Sequence, residues 1–255
     1  MRILTIMFEK ELVETWRTYR FLTLITFFLI LALMSPLVAK LTPTIIKLSL
    51  NDTLNLQLPQ PTAFDSWKQF YKGITQLGIL VTAILFAGTM SQELSKNTLV
   101  NLVTKGLPRW TIVLSKYFSL LLQWTVALSL SLFVTWGYTA YYFPAKITPT
   151  AVLAGFLPLL LFGIFLLALI LFGSTLGQNN YGGLLIPLFI TVILYLINLV
   201  KQLHNYNPLS LIGDNLAILQ GTKPLSQLLP GMLVAIAASL FLLGGTVVLL
   251  NHRKI

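Results

Sequence analysis

Cysteine is missing from the sequence, and charge of either sign is scarce. The 255 residues include no cysteine, only two histidines, His204 and His252, and 9% charged residues. Without cysteine the chain has no disulfide and no thiolate that could react or bind a metal. Typical soluble domains are about 25% charged. The composition therefore excludes an ordinary soluble domain.

Groups that catalyse reactions are equally scarce. An enzyme site inside a membrane needs ionisable or nucleophilic side chains that face water, and neither histidine falls in an apolar run beside a carboxylate. The string GSTLG at 173–177 resembles a serine nucleophile elbow only superficially, because no histidine is near it, and we expect Ser174 to lie in a short inner turn. The sequence predicts no catalytic residue, no metal site and no cofactor bound by this chain.

Apolar residues, in contrast, make up 56% of the sequence. A helix of about 20 apolar residues crosses the ~30 Å hydrocarbon core of a bilayer. Runs that approach or exceed this length lie at 21–39, 74–90, 117–143, 151–172, 181–200 and 231–250. We predict an all-α, polytopic membrane protein of one domain, 1–255, with six transmembrane helices.

The distribution of basic residues predicts the orientation. Six spans put both termini on one side, and with that side cytoplasmic it holds ten of the 17 lysines and arginines. It also holds all the arginines, which are Arg2, Arg17, Arg20, Arg109 and Arg253. We therefore expect both termini to be cytoplasmic, in a cell membrane of the bacterial plasma-membrane type.

The first 20 residues carry an amphipathic pattern. Apolar side chains recur at spacings of three and four, and Lys10, Glu14 and Arg17 fall on the opposite face; the apolar set is Leu4, Phe8, Leu12, Trp16 and Tyr19. This pattern predicts a helix that lies in the membrane interface. The alternative is a polar helix that merely extends the first span.

Two long segments are expected on the outer side. Residues 40–73 contain Pro43, Pro59 and Pro61 and read as irregular. Residues 201–230 are apolar but broken by glycine and proline, so we expect short re-entrant helices there. Aromatic residues such as Trp67 and Trp136 mark the outer boundary of the membrane.

The inner segment 91–116, between the second and third spans, reads as two helices with a sharp break. Asn97 suits a helix cap, 98–105 the helix body, Gly106 a stop and Pro108 a new start. Such a short helix needs packing from elsewhere or from a partner. A soluble partner that displaced it would tilt the third span; the alternative, a solvated loop that serves only topology, stays open.

The order of these parts resembles the permease subunit of ATP-binding-cassette exporters of the type 2 family. The resemblance lies in the N-terminal FEKELVETWRTYRF, the GTMSQELSKNTL run from Gly88 to Leu99, and the GLPRW step before Leu114-Ser115-Lys116. Asn97 and Ser115 stand where this family more often has glycine.

The resemblance implies that 95–110 is a coupling helix that docks on a separate cytoplasmic nucleotide-binding ATPase subunit, which alone binds ATP. The implied contact residues are Glu93, Lys96, Thr98, Leu99, Asn101, Leu102, Lys105 and Arg109. It also implies a second permease copy or a paralogue, with the path between the two lined by spans one, two and five.

Two functions remain open at this point. The favoured one is an exporter permease for an amphipathic or hydrophobic cargo, such as a peptide, a drug or a lipid-like molecule; the direction of transport comes from the resemblance alone. The alternative is a non-transporting six-span sensor or assembly protein. In both cases the lipid bilayer is a partner, and no basic run is suited to nucleic acid.

Overall fold

The computed structural model describes residues 2–49, 60–96, 98–99, 104, 106–143, 147–177 and 180–253. Within these ranges all regular secondary structure is helical. Five helical stretches are long and apolar enough to cross a membrane: Arg20–Ile46, Ala63–Ser95, Arg109–Tyr142, Pro149–Leu176 and Leu225–His252. The prediction of an all-α membrane protein is thus confirmed in its coarse form.

The N-terminal part forms two helices joined by a tight turn. Helix α1 spans Arg2–Arg17 and helix α2 spans Arg20–Ser49. Between them Tyr19 has a φ of 58°, a left-handed conformation that interrupts the helix, so that α1 and α2 are separate helices. The alternative of one helix extending the first span is therefore wrong.

Helix α2 continues through two prolines, so the prediction of irregular chain from residue 40 is wrong up to Ser49. A proline removes the hydrogen bond to the carbonyl four residues earlier. For Pro36 that carbonyl belongs to Ala32, and it accepts a hydrogen bond of 3.3 Å from the Thr135 hydroxyl instead. A neighbouring helix thus satisfies the freed group, which is how membrane helices tolerate proline.

The second span begins earlier than expected. Helix α3 spans Ala63–Gly73, a π-helical stretch covers Ile74–Gly78, and helices α4 and α5 span Ile79–Phe86 and Ser91–Ser95. Thr62 starts α3 with a capping box, in which its backbone N–H donates to Asp65 Oδ2 at 2.9 Å. This cap makes 63–73 helical where irregular chain was predicted; 50–59 lie outside the described residues.

The third and fourth spans match the prediction closely. They are helix α6, Arg109–Tyr142, and helix α7, Pro149–Leu176. The fifth expected span is helix α8, Asn180–Asn198, whose described apolar stretch of Gly182–Asn198 is shorter than the other five. A sixth crossing of the membrane therefore stays a prediction.

The segment 201–230 contains short helices, as predicted, and its location on the outer side stays a prediction. It comprises a 3-10 turn at His204–Tyr206, helix α9 at Ser210–Gly213, helix α10 at Asn215–Leu219, a 3-10 turn at Leu225–Leu228, and then helix α11, Leu229–His252. The Asn207 side chain donates to the Leu194 carbonyl at 2.7 Å, which fixes the segment against α8.

The long helices pack into one bundle, with α2 and α1 against α6, and with α8 and α11 against α7. Gly163 of α7 packs closely on Trp124 of α6: a Cβ on Gly163 would lie 2.0 Å from the Trp124 ring nitrogen. We call the end with Arg20, Arg109 and Arg253 the basic end. The end with Trp67, Trp136 and Tyr142 is the aromatic end.

Candidate functional site

A cluster of charged side chains lies at the basic end, where three helices meet. Lys10 and Glu11 come from α1, Glu93 from α5 and Lys116 from the first turns of α6. The chain has only seven acidic residues. Three of them, Glu11, Glu14 and Glu93, gather here with carboxylate oxygens within 4.8 Å of one another.

Lys116 is the centre of this cluster. Its Nζ lies 2.9 Å and 3.0 Å from the two oxygens of Glu11 and 2.8 Å from Glu93 Oε1. The exposed fraction of its side chain is 1%, against 5% for Glu11 and 12% for Glu93. A buried ammonium that bridges two carboxylates from different helices makes α1, α5 and α6 one connected unit at this point.

Lys10 forms the outer part of the cluster. Its Nζ lies 3.0 Å from Glu93 Oε1 and 3.1 Å from both Glu11 Oε1 and Glu14 Oε2. Partial burial acts to lower the pKa of Lys10, but the Glu11 and Glu93 carboxylates outweigh it, and the pKa is raised above its ordinary value. Lys10 is therefore charged at neutral pH and shields the inner pair from solvent.

The three carboxylates have the composition of a metal site, but two ammonium groups already lie among them. Lys10 and Lys116 contact all three carboxylates at 2.8–3.1 Å, at the positions that a cation would bind. Glu93 Oε2 is buried and has no hydrogen-bond partner among the described residues. The chemistry fits internal ion pairing, and we assign no metal to these residues.

Helix α5 is also held from the side by α7. The Ser174 hydroxyl oxygen accepts hydrogen bonds from the backbone N–H groups of Met90 and Ser91, both at 3.0 Å. These are the N–H groups at the start of a helix, which have no partner inside it. Ser174 was expected in an inner turn; it lies instead within α7, fully buried, and caps α5.

Two glycines allow α8 to approach this region closely. A Cβ on Gly183 would lie 1.8 Å from the Ala87 carbonyl oxygen, and one on Gly182 would lie 2.4 Å from the Gly177 Cα. Only residues without a side chain fit these backbone contacts. The start of α8 therefore sits directly against the break between α4 and α5.

Arginines fasten the remaining chain segments at the basic end. Arg20 donates to the Gln92 side chain at 2.6 Å, and Arg109 donates to the backbone carbonyls of Leu250 and Arg253. Arg253 in turn donates to the Leu176 carbonyl at 3.1 Å. The inner segment is thereby connected on one side to α2 and on the other to the end of α11.

The residues expected to contact an ATPase subunit fall into different environments. Lys96 and Thr98 are exposed, whereas Leu99 is buried with 1% exposure. Glu93 and Arg109 are engaged inside the chain, as described above. Asn101, Leu102 and Lys105 lie outside the described residues, as does most of the expected helix 98–105. Gly106 has a φ of +80°, which suits the predicted stop.

Sequence reasoning missed the ion pair between Glu11 and Lys116. The face of α1 that packs on the bundle carries Met7, Glu11 and Thr15, all buried, and the expected apolar residues Trp16 and Tyr19 are exposed. A usable signal was present: in a chain with only seven acids, four lie in the two segments predicted to flank inner span ends, as does Lys116.

A second, smaller network lies at the aromatic end. His204 Nε2 lies 2.9 Å from Asp214 Oδ2, His204 Nδ1 lies 2.9 Å from Asn198 Oδ1, and Lys223 donates to Asp214 at 2.6 Å. Both ring nitrogens of the histidine are therefore engaged. The network fastens the end of α8 to the short helices that follow it.

No family model, no curated protein and no solved structure matches this chain. The assignment of a function therefore depends on the arrangement of its own residues.

Proposed function

We propose that the chain is the membrane-spanning permease subunit of an ATP-driven exporter, moved by a separate ATPase subunit that docks on its inner segment. The observation that carries this proposal is the buried Lys116 bridge. It joins the inner segment to both α1 and α6 at one point. A push on the inner segment would reach a helix of 34 residues through that bridge.

The bridge is suited to transmitting force because breaking it costs a large free energy. Removing one partner of a buried ion pair leaves an uncompensated charge, which costs about 3–5 kcal/mol. The hydrogen bonds from Ser174 and the contact of Gly183 add lateral support. The inner segment would therefore move together with the ends of α1 and α6 rather than slide past them.

Exposed residues next to the cluster provide a surface for the partner. Lys96 and Thr98 are exposed, directly after α5, and Ser95 is exposed beside them. In this proposal α8 makes the sixth crossing, both termini face the cytoplasm with the basic end, and two copies or a pair of paralogues enclose the path. Several outer faces of α8 and α11 are apolar, as with Phe189 and Phe241, which supports lipid contact there.

The docking can be tested by site-specific photo-cross-linking in living cells. A photoreactive amino acid at Lys96 or Thr98 should trap a protein that hydrolyses ATP, and the same label at exposed Lys201 near the aromatic end should not. Purified with that protein, the chain should change its ATP hydrolysis rate. A nucleotide-hydrolysing protein captured equally from all positions, or from none, would contradict the proposal and favour the non-transporting sensor or assembly protein.

A further inference from the structure

Helix α3 and the π-helical stretch that follows it carry a stripe of polar side chains along the outside of the bundle. Lys68, Lys72 and Gln76 follow one another at four-residue spacing and are exposed, and half-buried Gln69 lies beside them. Residues at this spacing lie on one face of a helix. The stripe covers about 12 Å of helix length at 1.5 Å per residue.

This stripe forms one side of a groove whose other side is apolar. A cavity of about 440 Å³ lies between α2 and the first turns of α3, and it includes Lys68, Gln69, Pro43 and Ile46. A second cavity, of about 220 Å³, continues from it and is lined by Gln69 and Lys72 on one side. On the other side are Leu31, Met34 and Val38 of α2, and Leu77, which follows Gln76, also lines the cavity.

The charge in this groove is positive and unpaired. Neither Lys68 nor Lys72 makes an ion pair with any residue that the structure describes. Asp65, which also lines the groove, is engaged in the cap of α3, where its carboxylate accepts from the backbone and the hydroxyl of Thr62 at 2.9 Å and 2.7 Å. Within the part of the chain that the structure describes, the groove therefore lacks an anion that would complement its two lysines.

Lys40, on the same helix as the apolar wall, behaves differently. Its ammonium lies 4.0 Å from the centre of the Tyr142 ring, so it is used within the bundle. Lysines near a bilayer edge commonly extend to the headgroup layer. The groove differs from a single lysine of that kind, because its two lysines and two glutamines offer several donors to one headgroup. The apolar wall beside them offers a surface for the chain of the same molecule.

We propose that the groove between α2 and α3 binds one anionic amphiphile, a molecule with an acidic headgroup and an apolar chain. The headgroup lies between Lys68 and Lys72, with Gln69 and Gln76 as further donors. The chain lies along Met34, Leu77 and the neighbouring apolar wall. The occupant is a resident anionic lipid, because two lysines without an ion pair among the described residues lie beside an apolar wall, on helices that are long enough to cross a membrane. The site does not depend on the proposed exporter function.

Binding can be measured on the full chain purified in detergent, by native mass spectrometry during lipid titration. The probes are dioleoyl phosphatidylglycerol, dioleoyl phosphatidylcholine with the same chains, and glycerol phosphate as a headgroup without chains. We expect phosphatidylglycerol to saturate at one molecule per chain and the other two to bind far more weakly. Equal binding of both lipids, or full competition by glycerol phosphate, would overturn the proposal.

Variants locate the site. Near a membrane surface each lysine contributes an attraction that corresponds to about fivefold in affinity, so Lys68→Gln with Lys72→Gln should weaken binding by about thirtyfold. Lys201→Gln, at another exposed lysine, should leave it unchanged. Met34→Trp fills the apolar side and should weaken binding with both lysines present. If the double variant binds like the wild type, or if Lys201→Gln weakens binding as much, the groove is not the site.

The occupant of the groove is identified by extracting the protein from cells and analysing the lipids that it retains. A resident lipid should be retained by the wild type and lost from the Lys68→Gln, Lys72→Gln double variant. If the wild type retains no anionic lipid, or if the double variant retains as much as the wild type, the proposal is overturned. A failure of the cross-linking experiment above would leave this result unaffected, because lipid binding requires no ATPase subunit.

Discussion

Lys116 and Lys72 are the same residue type at two ends of one bundle, yet they have opposite surroundings. Lys116 is 1% exposed and bridges two carboxylates, whereas Lys72 is exposed and has no ion pair among the described residues. A buried, fully paired charge contributes to the connection between helices. An exposed charge beside an apolar wall is available to a ligand. The comparison therefore separates a mechanical region from a binding region.

The largest expected effect comes from removing the buried lysine. Lys116→Met leaves Glu11 and Glu93 without their shared cation and should lower the free energy of unfolding by about 3–5 kcal/mol. The matched variant Lys72→Met should change it by about 0.5 kcal/mol or less, because the side chain is exposed. Titration with SDS in mixed micelles measures both. Similar values for the two variants would remove the distinction between the ends.

A second pair of variants compares how tightly the two regions pack. Gly183→Ala places a methyl group 1.8 Å from the Ala87 carbonyl oxygen, so the helices must separate, which we expect to cost about 1–3 kcal/mol. Gly137→Ala, in α6 towards the aromatic end, has nothing within 4 Å. It should be neutral or stabilising by up to about 1 kcal/mol, since alanine favours helix. The same unfolding titration measures both variants. If Gly183→Ala left the free energy of unfolding unchanged, it would contradict the close backbone contact.

Hydroxyl groups offer a smaller contrast. Ser174→Ala removes the hydroxyl oxygen that accepts from the N–H groups of Met90 and Ser91 and should cost about 1–2 kcal/mol. At the aromatic end the Ser66 and Thr139 hydroxyls are 2.7 Å apart. Thr139→Val should cost about 1 kcal/mol or less, because the Ser66 hydroxyl remains free to bond to its own helix. Thermal unfolding midpoints in detergent measure both variants. If Ser174 had no capping role, Ser174→Ala would lower the midpoint less than Thr139→Val.

The smallest effect is expected for the groove lysines. Lys68→Gln together with Lys72→Gln should alter the free energy of unfolding by about 0.5 kcal/mol or less in lipid-free detergent. Adding phosphatidylglycerol should then stabilise the wild type but not the double variant, because a ligand that binds only the folded state raises its stability. A double variant that unfolds far more readily without lipid would show that these lysines have structural partners.

The helical membrane fold follows from the sequence because apolar runs alone determine where helices can cross a bilayer. The third and fourth spans were predicted closely for this reason. The continuation of α2 beyond residue 40 was not, because Pro43 indicated a break in the chain although it lies inside the helix. The start of α3 depends on the local capping box of Thr62 and Asp65, a signal that the prolines nearby obscured.

The candidate site was only partly predictable. The inner segment stood out by its composition, but the partners of Glu93 were not visible, since Lys116 is 23 residues away in sequence and Glu11 belongs to another helix. Buried ion pairs between distant residues leave no periodic pattern. The same holds for the cap that Ser174 provides to α5, which requires knowing how α7 packs.

The most direct test of the account is a distance measurement between α1 and α5. Because the chain has no cysteine that would have to be removed first, spin labels can be attached at Val13→Cys and Ser95→Cys, two exposed positions. Pulsed electron paramagnetic resonance should give one narrow distance in the wild type and in Lys116→Arg, and a broad distribution in Lys116→Met. A distribution that stays equally narrow in Lys116→Met would show that the Lys116 bridge does not hold the inner segment to α1.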